Sequence, residues 1–354
     1  MKIGIPKEIK PLEGRVGLVP EACAELVNSG HQVLLETGAG NLSGYADADY
    51  QALGVAIVPS AQDIYEMSDL VVKVKEPYGD EPEMLRKGQL LFCFLHLAAD
   101  EALTKRLQAS GSTAIAFETL RVGGGLPILA PMSDIAGRLA VQYGTTLLHH
   151  SQGGKGVLLG GLPGAERGHV VILGGGQAGG NAARLAAAMG ARVTVFERQR
   201  ERMLAMRNLG NNVTALYPYQ AQLDDMVSEA DLLIGAVLIP GTRAPSVVSR
   251  RQVESMSRGS VVVDISVDQG GCIETTVPTT YENPTYQVDG VTHFAVTNMP
   301  GAVPRSASQS LSAALIPYLT RLTVPDWREH ADLTAAINLS EGEIIYPALR
   351  EQYL

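Results

Sequence analysis

Short apolar runs separated by polar, helix-periodic stretches alternate along almost the whole chain. KIGIP, HQVLLETG, VAIV, DLVVKVKEP, QLLFCFLH and STAIAFET read as strands; PEACAELVNSG, a segment ending near Leu53 and DEALTKRLQASG read as the helices between them. Strand and helix in regular alternation predict an α/β layer with a parallel sheet. PMSDIAGRLAVQYGTTLLHH, residues 131–150, has apolar positions at helical spacing and is expected to be a helix crossing between domains, with Ser133 as its N-cap. QGGKGVLLGGLPG, residues 152–164, is a loop by its glycine content. From His169 the alternation starts again: VVIL, VTVF, VTALYP, ADLLIGAVLIPG, SVVVDISVDQGG and HFAVTNMPG are the strand-like blocks of a second, parallel sheet. After Pro304, SASQSLSAALIPYLTRLT reads as one long helix, and the remainder to Leu354 keeps a helical pattern. The expected organisation is a two-domain α/β protein, with residues 1–130 and 305–354 in one domain, 131–304 in the other, and 131–150 connecting them.

Composition narrows the class of partner. The 354 residues exceed the usual size of one core, and 45% apolar with 18% charged residues is a globular composition. A formal charge of −9 argues against nucleic acid or an anionic membrane as partner and for a small molecule. Cys23, Cys93 and Cys272 show no metal-site spacing and imply neither a disulfide framework nor a bound metal. The N-terminus lacks the apolar core of a signal peptide, and no run approaches the roughly 18 apolar residues of a spanning helix, so the expected location is the cytoplasm.

Five glycines fall among residues 174–180, immediately after VVIL and at the start of the helix NAARLAAAMG. Glycine loses the most backbone entropy on folding, so such a cluster needs a steric reason. Gly174, Gly176 and Gly179 satisfy G-x-G-x-x-G: the first for the tight turn, the second for close approach to a pyrophosphate, the third for helix–strand packing. Glu197 ends the next strand about 20 residues on, where an acid accepts from an adenosine ribose. Strand, glycines, helix, strand and acid together predict a Rossmann-type dinucleotide-binding domain; the acid points to NAD. Arg198, Arg200 and Arg202 follow it, and a guanidinium cluster could instead pair with a 2′-phosphate or simply line a solvated helix.

Ligands in open α/β sheets collect beyond the carboxyl ends of strands. Arg15 follows the first strand, Lys75 ends VVKVK, His96 ends LLFCFL and Asp268 ends VVVDISV. A nicotinamide enzyme acting on an amino or keto acid needs cations for the carboxylate and carbonyl and an acid/base group for the proton. Each residue also has an ordinary reading: surface ion pairs of Arg15 with Glu13 and of Lys75 with Glu76, a core histidine at 96, a turn at Asp268. All four lie at strand ends or entry loops in a chain with a dinucleotide fingerprint, which favours the chemical reading.

IPKEIK with Arg15 and Val16, VVKVKEP, FLHLAA, LAPMSDIAGRLA, QGGKGVLLGG, GGGQAGGNAARLA, DLLIGAVLIPG, VVVDISVDQGGCIET and NMPGAVP, collinear over about residues 1–320, resemble the successive blocks of the L-alanine dehydrogenase family, to which the transhydrogenase α-subunits are related. The resemblance implies reversible NAD-dependent deamination of L-alanine to pyruvate and ammonium by a two-domain subunit, commonly assembled as a homo-hexamer. It implies substrate binding by Arg15 and Lys75 and catalysis by His96 and Asp268. It also implies cofactor contacts at Ser133, Gln177, Ala178, Glu197, Arg202, Val237, Leu238, Ile265, Ser266, Val267, Asp268, Val296, Thr297, Asn298 and Met299, beside Gly174, Gly176 and Gly179. Glu197 stands where the family more often has Asp, Pro218 and Tyr219 where a serine near the adenine is expected, and the tail after about Thr323 follows the family only loosely.

Two other readings share these residues. A related amino-acid dehydrogenase, or an enzyme reductively joining an amine to pyruvate, would keep Arg15, Lys75, His96 and Asp268 and differ in pocket volume. A transhydrogenase-like NAD-binding subunit would need a membrane partner and is expected to lack the aspartate at 268, which is present here.

Overall fold

The computed structural model describes residues 1–237 and 244–353. The chain forms two compact units, Met1–Met132 with Gly301–Leu354, and Ser133–Pro300. Both are α/β units built on a largely parallel sheet.

In the first unit, β1 (Lys2–Ile5), β2 (Gln32–Glu36), β3 (Ala56–Val58), β4 (Leu70–Val72), β5 (Leu90–Cys93) and β6 (Thr113–Ala116) lie in the order β3-β2-β1-β4-β5-β6, all parallel. Parallel strands are covered by helices on both faces, which is why Leu90–Cys93 and Thr113–Ala116 are buried throughout rather than alternating. Sequence order reverses between β1 and β4, and that reversal opens a crevice at the carboxyl ends. The tail departs from its helical expectation. Ile337–Ser340 pairs antiparallel with β6, and Glu343–Ile344 pairs with it in turn, closing the eight-stranded sheet. Asn338, Leu339 and Ile344 are buried there; four- and two-residue strands are too short for the period-2 pattern to register.

The helix Pro304–Leu322 forms as expected and anchors the loop after β1. Its Ser308 and Ser312 hydroxyls accept from the backbone N–H groups of Val16 and Val19, each at 3.0 Å. Arg15 therefore sits on a loop tied to a helix from the far end of the chain.

The second unit contains β7 (His169–Leu173), β8 (Arg192–Phe196), β9 (Val213–Leu216), β10 (Leu232–Gly235), β11 (Val261–Asp264), β12 (Thr285–Val288) and β13 (Val291–Phe294), ordered β9-β8-β7-β10-β11-β13-β12. Only β12, an edge strand, runs antiparallel. The parallel six reproduce the strand order of a dinucleotide-binding fold, with the reversal between β7 and β10. Ser133 is not an N-cap: the helix runs Ala130–Leu147 and so begins before it. Pro131, in the first turn, lacks an N–H that would have no partner there, so the helix starts at the proline rather than at the serine. Among the described residues, no helix is long and apolar enough to cross a membrane, and Cys23, Cys93 and Cys272 are buried free thiols.

A charged cluster lies inside the first unit where β4 ends. Lys73 is 1% exposed, with its Nζ 2.5 Å from Glu81 Oε2 and 3.7 Å from Glu8 Oε2. Burial alone would lower Lys73, but the neighbouring acids Glu8 and Glu81 outweigh it and raise Lys73 above its ordinary range. Glu8 Oε1 accepts from the N–H groups of Val74 (2.6 Å) and Lys75 (3.3 Å), so one buried carboxyl fixes the backbone on which Lys75 is mounted. Burial raises Glu8 from 4.5 to about 7 against the pull of Lys73, with Glu13 and Glu81 adding to the rise.

The folded chain keeps on Glu8 a proton that the unfolded chain releases between pH 4.5 and about 7. Its contribution to stability is complete below that window and is lost as pH rises through it. Glu8→Gln, which keeps an acceptor but cannot titrate, should gain a few degrees of melting temperature relative to the wild type across the same interval. Parallel thermal melts with a constant difference from pH 4.5 to 7 would show that the fold does not raise Glu8 above its ordinary range.

Candidate active site

In the first unit, Arg15, Lys75 and His96 follow β1, β4 and β5, the strands on either side of the reversal and the next one along. Each lies two or more residues beyond its strand, since β4 stops at Val72 and β5 at Cys93. Arg15 is 2% exposed, which excludes a surface ion pair. Glu13 takes one edge of its guanidinium through Nε–Oε1 (2.7 Å) and Nη2–Oε2 (2.5 Å), and Met132 Sδ lies 3.1 Å from Nη1. A bidentate carboxylate sets the plane of the guanidinium. Lys75 is half-buried.

His96 is no core histidine: its side chain is 46% exposed. Its backbone has φ 49° and ψ 31°, the left-handed region that a non-glycine residue enters only when its surroundings hold it there. Glu118 does the holding. Its carboxylate, on the turn after β6, accepts from the N–H groups of His96 (2.7 Å) and Leu95 (3.2 Å). The imidazole stacks on Phe94, with ring planes 26° apart, and its Nδ1 is 3.3 Å from Glu76 Oε2. Glu76 Oε1 is paired with Lys10. Burial would raise the Glu76 carboxyl, but the hydrogen bonds from His96 and Lys10 and the neighbouring charges of His96 and Lys75 hold it well below the ordinary range.

In the second unit the glycines of the fingerprint separate by cause. Gly174 has φ 94°, and an added Cβ would stand 2.7 Å from the Ala236 carbonyl oxygen. At Gly179 an added Cβ would lie 1.9 Å from the Gly174 carbonyl oxygen, so helix Gln177–Ala188 could not pack on the loop. Gly176 is different. Its φ is −73°, and among the described residues its Cβ would meet only Arg202 Nη1, at an ordinary 3.6 Å. Nothing among the described residues requires glycine there, so the space beside it, at the N-terminus of a 12-residue helix, fits a ligand's close approach and, with the helix dipole, an anionic one.

Glu197 is buried and already organises this loop: Oε2 accepts from Gly175 N–H (2.9 Å), Oε1 from Arg198 and Gln199 N–H (2.6 and 2.9 Å). Its four acceptor positions still leave capacity for a hydroxyl. Arg202 stands 3.8 Å away with a half-exposed side chain, whereas Arg198 and Arg200 are exposed. Gln177 is exposed, with its side chain donating to Asp134 (2.5 Å) one residue after Ser133; Ala178 is half-buried. Val237 accepts from the Ser266 hydroxyl (2.8 Å), joining the loops after β10 and β11. Leu238 lies outside the described residues.

The loop carrying Asp268 is built on Asp264, which ends β11. Its buried carboxylate accepts from the N–H groups of Ser266 (2.9 Å), Cys272 (2.8 Å) and Ile273 (3.2 Å) and from the Thr276 hydroxyl (2.6 Å). Asp268 itself is exposed in the short helix Ile265–Gln269 and accepts from Asn298 N–H, whose φ is 58°. Ile265 and Thr297 are half-buried; Val267, Val296 and Met299 are buried and shape the loop from within. Glu8, Glu118, Asp134 and Asp264 were not singled out from sequence, and Glu13 and Glu76 only as partners of surface ion pairs with Arg15 and Lys75. The available signal was their position at or just after strands and turns, which surface acids share.

Residues 4–136 match the family model described as alanine dehydrogenase/PNT, N-terminal domain, and residues 140–347 match its C-terminal domain. The chain is 45% identical to an alanine dehydrogenase of Halomonas elongata over 100% of its own length and 97% of that protein's. A solved L-alanine dehydrogenase superposes with a TM-score of 0.96 at 48% identity, covering 100% of this chain and 99% of that one. A transhydrogenase structure from Sinorhizobium meliloti superposes at 0.86 with 26% identity, covering 98% and 100%.

The glycine geometry separates stability from binding. Gly179→Ala should cost about 3 kcal/mol or more in denaturant unfolding, because backbone must move. Gly176→Ala should unfold like the wild type yet bind NADH about tenfold more weakly by fluorescence titration, the loss expected of a methyl group forced into a tight contact. Equal affinity of Gly176→Ala and wild type would remove the pyrophosphate from that position.

Proposed function

The chain belongs to the alanine dehydrogenase/PNT family, and on that premise we propose that it is an NAD-dependent alanine dehydrogenase interconverting L-alanine with pyruvate and ammonium. The observation that carries the reading is the placement of Arg15, Lys75 and His96 beyond the carboxyl ends of strands at and beside the β1/β4 reversal, in a chain whose second unit carries a dinucleotide cradle.

Bound NAD would supply the hydride acceptor for the substrate Cα and, in the reverse direction, the hydride donor. The chain's residues handle the carboxylate, the water and the protons. Arg15, its plane fixed by Glu13, receives the alanine carboxylate on a guanidinium whose fork geometry matches it. Loss of hydride and of a nitrogen-bound proton leaves an iminium carbon. Asp268 orients the water that adds to it, one proton of that water passes to the nitrogen to give an ammonium-bearing carbinolamine, and Lys75 stabilises the charge that develops on the oxygen as the carbonyl forms. His96 takes the hydroxyl proton as the carbon–nitrogen bond breaks, giving pyruvate and ammonia. The pyrophosphate would lie beside Gly176 on the turn that Gly174 and Gly179 make possible, Glu197 would receive the adenosine ribose, and the loops at Val237, Ile265 to Asp268 and Val296 to Met299 would frame the nicotinamide half.

The finer parts of this reading are a homo-hexamer acting in the cytoplasm, supported by the resemblance to the family and, for the location, by the cysteines being reduced. The alternative of a transhydrogenase-like subunit draws on the likeness to the Sinorhizobium protein, at 26% identity.

Initial rates of NADH oxidation with ammonium and pyruvate, 2-oxobutyrate, glyoxylate or oxaloacetate test the assignment. The rate should be greatest with pyruvate and absent without ammonium. No ammonium-dependent rate with any keto acid overturns the deaminase reading in favour of another amine or of a transhydrogenase role.

Glu197→Ser should raise the relative use of NADPH over NADH by roughly tenfold, because removing a carboxylate beside the ribose relieves repulsion of a 2′-phosphate. An unchanged NADPH to NADH ratio of kcat/KM would mean that Glu197 serves only the loop amides.

A further inference from the structure

The Glu76–His96 pair is not used by the mechanism above, yet its geometry constrains which imidazole nitrogen can act. Glu76 Oε2 faces Nδ1 at 3.3 Å, and its other oxygen is held by Lys10. An ionised carboxylate only accepts hydrogen bonds. The hydrogen on the imidazole must therefore sit on Nδ1. The groups that hold Glu76 below its ordinary range keep it ionised and so keep it an acceptor. Two further contacts limit the ring's escape: Phe94 stacks against its face, and Glu118 fixes the backbone from which it projects.

We propose that Glu76 is a positioning residue that fixes His96 as its Nδ1–H tautomer and so reserves Nε2 as the nitrogen that takes the proton. The proposal rests on His96 being the proton-transfer group. In the step it serves, the hydroxyl proton of an ammonium-bearing carbinolamine passes to Nε2. The oxygen–hydrogen electron pair becomes the carbonyl π bond, and the carbon–nitrogen pair departs with ammonia. With the hydrogen on Nε2 instead, that nitrogen has no lone pair to offer.

The test reads the tautomer directly. The full chain is labelled with [15N]histidine, and multiple-bond proton–nitrogen correlations are recorded at a pH where the imidazoles are neutral, with His96 assigned by its loss in His96→Gln. The wild type should show His96 with a protonated Nδ1 and a bare Nε2, the reverse of the tautomer that free histidine favours. Glu76→Gln, whose carbonyl still accepts, should keep that tautomer. Glu76→Leu should lose it and lower kcat by about 100-fold, with far less change in the KM for alanine, since a general base contributes at least that much.

A wild-type His96 with its hydrogen on Nε2 overturns the proposal without any variant. So does Glu76→Leu retaining the Nδ1–H form, which would reduce Glu76 to a packing group. The underlying reading fails separately: if His96→Gln turns over alanine like the wild type, His96 is not the proton-transfer group whatever its tautomer.

Discussion

Backbone N–H groups at the carboxyl ends of parallel strands have left the sheet ladder and must find other acceptors, and the structure depends on how this is met. A parallel sheet has its loops and ligands at that edge, and in this chain the reversals β1/β4 and β7/β10 make it the functional edge of both units. An unpaired buried N–H costs as much as a lost hydrogen bond or more. Carboxylates supply the acceptors. Glu8 takes Val74 and Lys75, Glu118 takes Leu95 and His96, Glu197 takes Gly175, Arg198 and Gln199, and Asp264 takes Ser266, Cys272 and Ile273. Each of these loops carries a residue assigned to substrate or cofactor.

This device ties each loop back to its strand end through the loop's own backbone. A charge-assisted hydrogen bond to a backbone N–H is about twice as strong as a neutral one, and one carboxylate makes two or three of them. The cost is burial of charge, visible in the raised carboxyls of Glu8 and Asp264. A cation at hand offsets part of the cost, as Lys73 does for Glu8, and Arg15 is paired with Glu13 in the same way.

Much of the fold was legible because its causes are local. Alternating apolar runs and helical stretches announce a doubly wound α/β chain, and the glycine fingerprint records steric demands that the structure shows atom by atom at Gly174 and Gly179. Short elements were not legible. Thr285–Val288 and Ile337–Ser340 are edge or antiparallel strands of four residues, and their identity comes from the neighbour they pair with. The supporting acids were hidden for a related reason. Glu118 and His96 are 22 residues apart, Glu8 and Val74 are 66 apart, and nothing in the spacing of a surface-like Glu distinguishes one that folds back onto a strand end. The ordinary readings of Arg15 and His96 failed on burial: Arg15 proved buried and His96 exposed, the reverse of what their neighbours in sequence suggest.

The same acids bear on how a protein of net charge −9 receives an amino acid and a dinucleotide, both anionic in part. Arg15 is paired to Glu13, and His96 and Lys10 to Glu76, so the functional edge of the first unit is not a patch of bare positive charge. Such a patch would attract any anion. Fixed pairs contribute direction instead: a guanidinium set in one plane and an imidazole set in one tautomer recognise shape and proton position, with little long-range pull. In the second unit the helix N-terminus beside Gly176 adds partial positive charge from oriented N–H groups, next to the Arg202 guanidinium. Each of these interactions is strong only when the partner atoms reach the one geometry that the carboxylates have prepared.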